Sequence, residues 1–105
     1  MTTDRLTAIM AERVMGWTVG PDRFLVAGRR WLPRWRFQPV KKVADAFRLL
    51  ESASPQTFSM NENDSGVSVR IQIDKKTGEA YGSSKAEAIT VAIARAVGVP
   101  VDSID

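Results

Sequence analysis

Arg23, Arg29, Arg30, Arg34, Arg36, Lys41 and Lys42 put seven positive charges into residues 23 to 42, with no carboxylate among them. Trp31, Trp35 and Phe37 stand between these cations. Guanidinium and ammonium groups neutralise phosphate, and indole rings stack on bases at about 1–3 kcal/mol each. The mixture is the chemistry of a nucleic-acid surface. If all seven cations met the phosphates of a duplex, log affinity would fall against log salt with a slope of about −6. The rest of the chain has eight basic and twelve acidic residues, so the net charge of +3 hides a strong asymmetry.

The same residues have a structural use. A small domain gains most by burying its large rings. In an extended segment Trp31, Pro33 and Trp35 share one side, and Arg34 and Arg36 take the other. We therefore expect the rings to point inward and the arginines to stand in water. The candidate anion- or partner-binding residues are Arg29, Arg30, Arg34, Arg36, Lys41 and Lys42. Trp31 and Trp35 join them if their rings face solvent. Trp17 is expected in the core.

Other chemistry is thin. The chain has no histidine and no cysteine, which removes zinc sites and Ser-His or Cys-His nucleophiles. The carboxylates are scattered without a spacing that suggests acid–base work. We expect no catalytic, metal-binding or cofactor-binding residue, and no enzyme. Asn61-Glu62-Asn63-Asp64-Ser65-Gly66 superficially follows a calcium loop, but Gln72 stands where the bidentate Glu belongs, so a hairpin turn is expected. The stretch Gly78 to Lys85 lacks the phosphate-loop spacing, and an ordinary capped helix is expected there.

The elements that must position these residues follow from periodicity. Leu6, Ile9, Met10 and Val14 make a helical stripe from about Thr3 to Met15, with Gly16 as its stop. Phe24 to Ala27 reads as a strand. Pro33 and Pro39 keep residues 29 to 39 extended, irregular or at an edge. Pro39 can open a second helix with Val40, Val43, Phe47 and Leu50 on one face. Thr57 to Met60 and Val67 to Ile73 alternate as strands, and a third runs from Glu79 to Tyr81. Ser84 and Glu87 fit a capping box for a last helix, which Gly98 and Pro100 end. The order is α-β-α-β-β-β-α. The expectation is a single α+β domain over 1–105, an antiparallel three- to four-stranded sheet packed with three helices.

Two resemblances extend this reading. Ala11-Glu12-Arg13-Val14-Met15-Gly16-Trp17 looks like the A-E-x-V-M-G-W that opens the phage ABA-sandwich domain family. Phe37-Gln38-Pro39 with Val43-Ala44-Asp45-Ala46-Phe47 is similar to its F-x-P-S-T-D-I-A-A-A-W, and Ala92-Ile93-Ala94-Arg95-Ala96 to its A-I-C-R-A. The resemblance implies an alpha/beta sandwich in a small phage or prophage protein of unassigned function, with helices on both faces of the sheet. The clean alternation of Val67 to Ile73 argues instead for one wet face. Where the family has a polar helix start, this chain has Val40-Lys41-Lys42. Cations there oppose the helix dipole unless an anion or a later helix start relieves them.

Residues 40 to 97 also resemble a double-stranded-RNA-binding domain in their order α-β-β-β-α. Gly82-Ser83-Ser84-Lys85-Ala86-Glu87-Ala88 is similar to that family's G-x-S-K-K-x-A-K. The lysine cluster is reduced to Lys85, and residues 43 to 105 hold six basic and nine acidic groups, which repel phosphate.

The functional expectation is a small non-catalytic phage or prophage binding module. Its partner is a protein or, alternatively, a nucleic acid taken up by the basic-aromatic segment. No run approaches a membrane span, so we expect no membrane contact and a place in the host cytoplasm. Homo-oligomerisation is left open.

Overall fold

The structure is a computed structural model that describes residues 1–26, 28–102 and 104. Helix α1 spans Thr3–Arg13 and strand β1 Thr18–Val19. Strands β2 (Arg23–Leu25) and β3 (Trp31–Pro33) follow, then a 3-10 turn at Arg34–Arg36. Helix α2 is Val43–Ala53, strands β4, β5 and β6 are Thr57–Asn63, Gly66–Ile73 and Lys76–Gly82, and helix α3 is Lys85–Ala96. Of the strand expected from Phe24, Ala27 lies outside the described residues.

The strands form two antiparallel sheets, β1-β2-β3 and β4-β5-β6. The α+β class and the three helices are as the periodicity predicts. The extra strands are β1 and β3, each two or three residues long. They are too short to carry an alternation pattern, and pairing with β2 rather than propensity creates them.

The larger sheet has one apolar face. Val67, Val69, Ile71 and Ala80 are buried, while Ser59, Asn61, Ser68, Arg70, Glu79 and Tyr81 are exposed. The wet face that alternation implied is present, and helices cover only the other side. There α3 lies over β5 and β6 at backbone distance. Gly78 permits this, because a Cβ would run into the carbonyl oxygen of Ala92 and lie 2.6 Å from the Ala96 nitrogen.

A third layer covers the far side of the helices. Thr90 of α3, turned away from β6, donates to the Pro39 carbonyl at 2.8 Å. The Arg48 guanidinium of α2 stands 5.1 Å from the Trp17 ring. Trp17, Phe24 and Phe37 pack with centroids 5.0 to 6.1 Å apart, and Leu6, Met10 and Ala11 of α1 complete this side of one continuous core. Covered on both sides, α3 is buried nearly all round, at Ala86, Ala88–Ala94 and Ala96.

Helix ends follow local chemistry. Thr2 caps α1, accepting from the Arg5 amide at 3.2 Å. Ser84 caps α3 by accepting from the Glu87 amide, but the Glu87 carboxylate takes the Ser83 hydroxyl instead of closing the box onto Ser84. At its other end the Val99 amide donates to Ala94 and the Gly98 amide to Arg95, with Gly98 at φ +89°. This is a Schellman stop.

Helix α2 differs from expectation. It starts at Val43, not near Pro39, because the Lys41 and Lys42 amides turn back to the Gln38 carbonyl. Its buried face is Ala46, Leu49 and Leu50, while Val43 and Phe47 are exposed.

Candidate functional site

The small sheet sets the two faces of the basic-aromatic segment. Leu32 lies opposite Phe24 and faces the core, whereas Trp31 lies opposite Leu25 and Pro33 opposite Arg23 on the outer face. On that face Trp31 is 53% exposed. After Pro33 the chain enters the 3-10 turn, on which Trp35 is 63% exposed. The rings expected inside are therefore outside. The space they would have filled is taken by Trp17, Phe24 and Phe37, all at or below 9% exposure.

Each exposed indole carries its own cation. The Arg23 guanidinium sits 5.3 Å from the Trp31 centroid, and that of Arg36 sits 5.4 Å from Trp35. Arg23 also pairs with Asp22 at 3.1 Å. That hydrogen bond, and the charge of Arg23 behind it, hold the Asp22 carboxyl below the usual carboxylate range.

Arg34 does not belong to the surface set. Its Nη2 donates to the Gly20 carbonyl at 2.9 Å, its guanidinium lies 5.3 Å from the Phe24 ring, and its buried Nε has no partner among the described residues. It ties the 3-10 turn to the β1–β2 loop. Arg29, Arg30, Arg36, Lys41 and Lys42 are exposed, and none has a carboxylate within 4.0 Å among the described residues.

Arg48 stands on the surface of α2 and gives no signal in the sequence. It lines a groove of about 200 Å³ with Trp17, Val26, Arg30 and Leu32. Two guanidiniums with no carboxylate within 4.0 Å among the described residues, Arg30 before β3 and Arg48 on α2, thus share one groove. On the other side of the segment Lys41 and Trp35 line a cavity of about 250 Å³ with Arg34, Gln38 and Asp4 of α1. Lys41 and Lys42 both precede α2, and the first-turn carboxylate of Asp45 accepts from the Gln38 amide at 2.9 Å. Lys42 occupies the cap position without a side-chain cap bond.

The other motifs take the plain form. The Asn63 Oδ1 accepts from the Ser65 amide, the Ser65 hydroxyl and the Gly66 amide, closing a tight turn between β4 and β5. Among the described residues no cluster of three or more His, Cys, Asp or Glu could hold a metal. Helices α2 and α3 with β4–β6 have the α-β-β-β-α layout that the RNA-binding resemblance implies. Lys85, at its helix start, lies 3.9 Å from Glu62. No helix among the described residues is long and apolar enough to cross a membrane.

The model of the phage ABA sandwich domain matches residues 8–93 of this chain. The fold is similar to the crystal structure of a phage protein from Bacillus cereus ATCC 14579, with a TM-score of 0.79 over 97% of this chain and 93% of that one. Their sequences are 13% identical, so what they share is the fold. No curated protein matches the chain. The chain belongs to the phage ABA sandwich domain family.

Proposed function

We propose that this phage-family domain is a non-catalytic module that binds single-stranded nucleic acid across residues 23–42, in the cytoplasm of the host. The observation that carries the reading is the pair of exposed indoles, Trp31 and Trp35, each beside an arginine. Exposing two large rings forgoes the burial that a small core would reward. Exposed aromatic rings beside arginines are the groups on which bases stack.

The roles divide by chemistry. Trp31 and Trp35 supply faces on which unpaired bases stack, and a guanidinium beside each ring can follow the base. Arg29, Arg30, Arg36, Lys41 and Lys42 meet phosphate, with Arg48 supporting Arg30 from α2. Arg34 positions the 3-10 turn. A single strand suits this face better than a duplex, whose bases are already stacked and unavailable to an indole.

The test is a fluorescence titration with a single-stranded oligonucleotide at several salt concentrations. Five phosphate contacts on a single strand give a slope of log affinity against log salt of about −3.5. Tryptophan quenching with that salt dependence supports the reading. Absence of quenching at low salt, where electrostatic affinity is greatest, overturns it.

A further inference from the structure

The cavity beside Trp35 joins residues that lie far apart in the chain. Asp4 and Thr7 come from the first turns of α1, Arg34 and Trp35 from the 3-10 turn, and Lys41 from the approach to α2. The buried rings of Phe24 and Phe37 line it as well. Its volume of about 250 Å³ equals roughly eight waters at liquid density, room for one base and too little for a run of strand.

Opposite charges line this space without meeting. Among the described residues neither Arg34 nor Lys41 has a carboxylate within 4.0 Å, and Asp4 has no cation within that distance. Arg34 also has donors to spare. A guanidinium carries five N–H groups. Among the described residues that of Arg34 makes one hydrogen bond, to the Gly20 carbonyl, and its buried Nε has no partner. Asp4, when ionised, can only accept. A ligand that spans the two must turn donors to Asp4 and an acceptor to Arg34, and be flat enough to lie against Trp35.

Guanine is the base that meets this demand in full. Its Watson–Crick edge sets N1–H and the N2 amino group side by side, with the acceptor O6 next to them. Adenine and cytosine offer one donor group beside acceptors, and thymine offers a donor between two acceptors. We propose that the cavity takes one guanine of a bound single strand. Asp4 accepts from N1–H and the N2 amino group, the Arg34 guanidinium donates to O6, and the base lies against Trp35. Lys41 meets the phosphate of the same nucleotide. The bases of a single strand are free to splay out and present these edges. The inference rests on residues 23–42 being the single-strand surface proposed above. It adds base contacts, which specify, to phosphate contacts, which only position.

The test compares three strands by tryptophan quenching at low salt: an oligothymidylate, the same strand with one central dG, and the same strand with deoxyinosine in that place. Inosine keeps N1–H and O6 and lacks the N2 amino group. The dG strand should bind about tenfold more tightly than the oligothymidylate, with the inosine strand between them. In an Asp4→Asn variant the dG advantage should vanish. The oligothymidylate should bind that variant at least as tightly, since a negative charge has been removed. This affinity, with circular dichroism, reports that α1 remains folded. Guanosine monophosphate should displace the dG strand only at far higher concentration, because it brings no neighbouring phosphates. Equal affinity for all three strands, or a dG preference that survives in Asp4→Asn, overturns the inference and leaves the single-strand surface standing. Guanosine monophosphate binding as tightly as the dG strand overturns the strand as the source of the base. No quenching by any of the three overturns the surface itself.

Discussion

Trp31 and Trp35 show how strand pairing decides which way an alternating segment faces. Alternation predicts both rings on one inward side. The pairing of Leu32 with the buried Phe24 turns Trp31 and Pro33 to the outer face, and Trp35 follows them outward on the 3-10 turn. Trp17 was legible because it follows a helix stop and has no charged neighbours. Replacing Trp31 or Trp35 by Ala should weaken single-strand binding by about 1–3 kcal/mol each. Urea denaturation should move by no more than about 0.5 kcal/mol, as for other surface substitutions. Asp22 is the acidic member of this face, paired with Arg23. Its folded pKa lies below the unfolded value, so its contribution to folding is present above that value and fades as pH falls through the folded one. Asp22→Asn should release Arg23 to phosphate. Titration over salt should then give a slope steeper by about 0.7.

Among the elements, those with strong local signals were legible to within a residue or two, β5 starting at Gly66 and α1 ending at Arg13 rather than Met15. α3 carries its Ser84 cap and its Gly98 stop in the sequence, and β5 shows its buried face by alternation alone. The start of α2 was not legible. Pro39 is a good first helical residue in isolation, but here its carbonyl serves Thr90 and the Gln38 carbonyl takes the next turn. The face of α2 shifted with its start. Lys42 now occupies a cap position that Ser or Asp would fill better. Lys42→Ser should stabilise the fold by about 1 kcal/mol in urea denaturation while weakening polyanion binding. The opposed signs separate a residue kept for binding from one kept for folding. Gly78 makes a purely structural contrast. Gly78→Ala pushes β6 off α3 and should cost about 1–3 kcal/mol of stability, measured the same way, with the salt slope of the folded fraction unchanged.

At the scale of the molecule, the helices are a middle layer between a larger sheet and a small one, with α1 beside the latter. Composition and periodicity gave the class, but not this layering. Two sheets in place of one depend on which strands pair across long loops, and short strands such as β1 carry no sequence trace of their partner. The candidate site was legible as a list of residues and not as an arrangement. The list contained Arg34, which the fold uses internally, and lacked Arg48, which the fold brings to Arg30. The charge asymmetry is a property of the sequence. Segment 23–42 holds seven cations and no carboxylate, while residues 43 to 105 carry an acidic excess, which disfavours phosphate. A strand of nucleic acid would therefore follow the cationic segment.

The most direct test of that account is the tryptophan fluorescence of the unmodified chain, titrated with a single-stranded oligonucleotide at low salt and then back-titrated with salt. The account predicts quenching of the two exposed indoles, reversed by salt with a slope of about −3.5, and abolished when Arg29, Arg30 and Arg36 are changed to Glu. Unquenched fluorescence at low salt, or quenching indifferent to salt and to those charges, would contradict it.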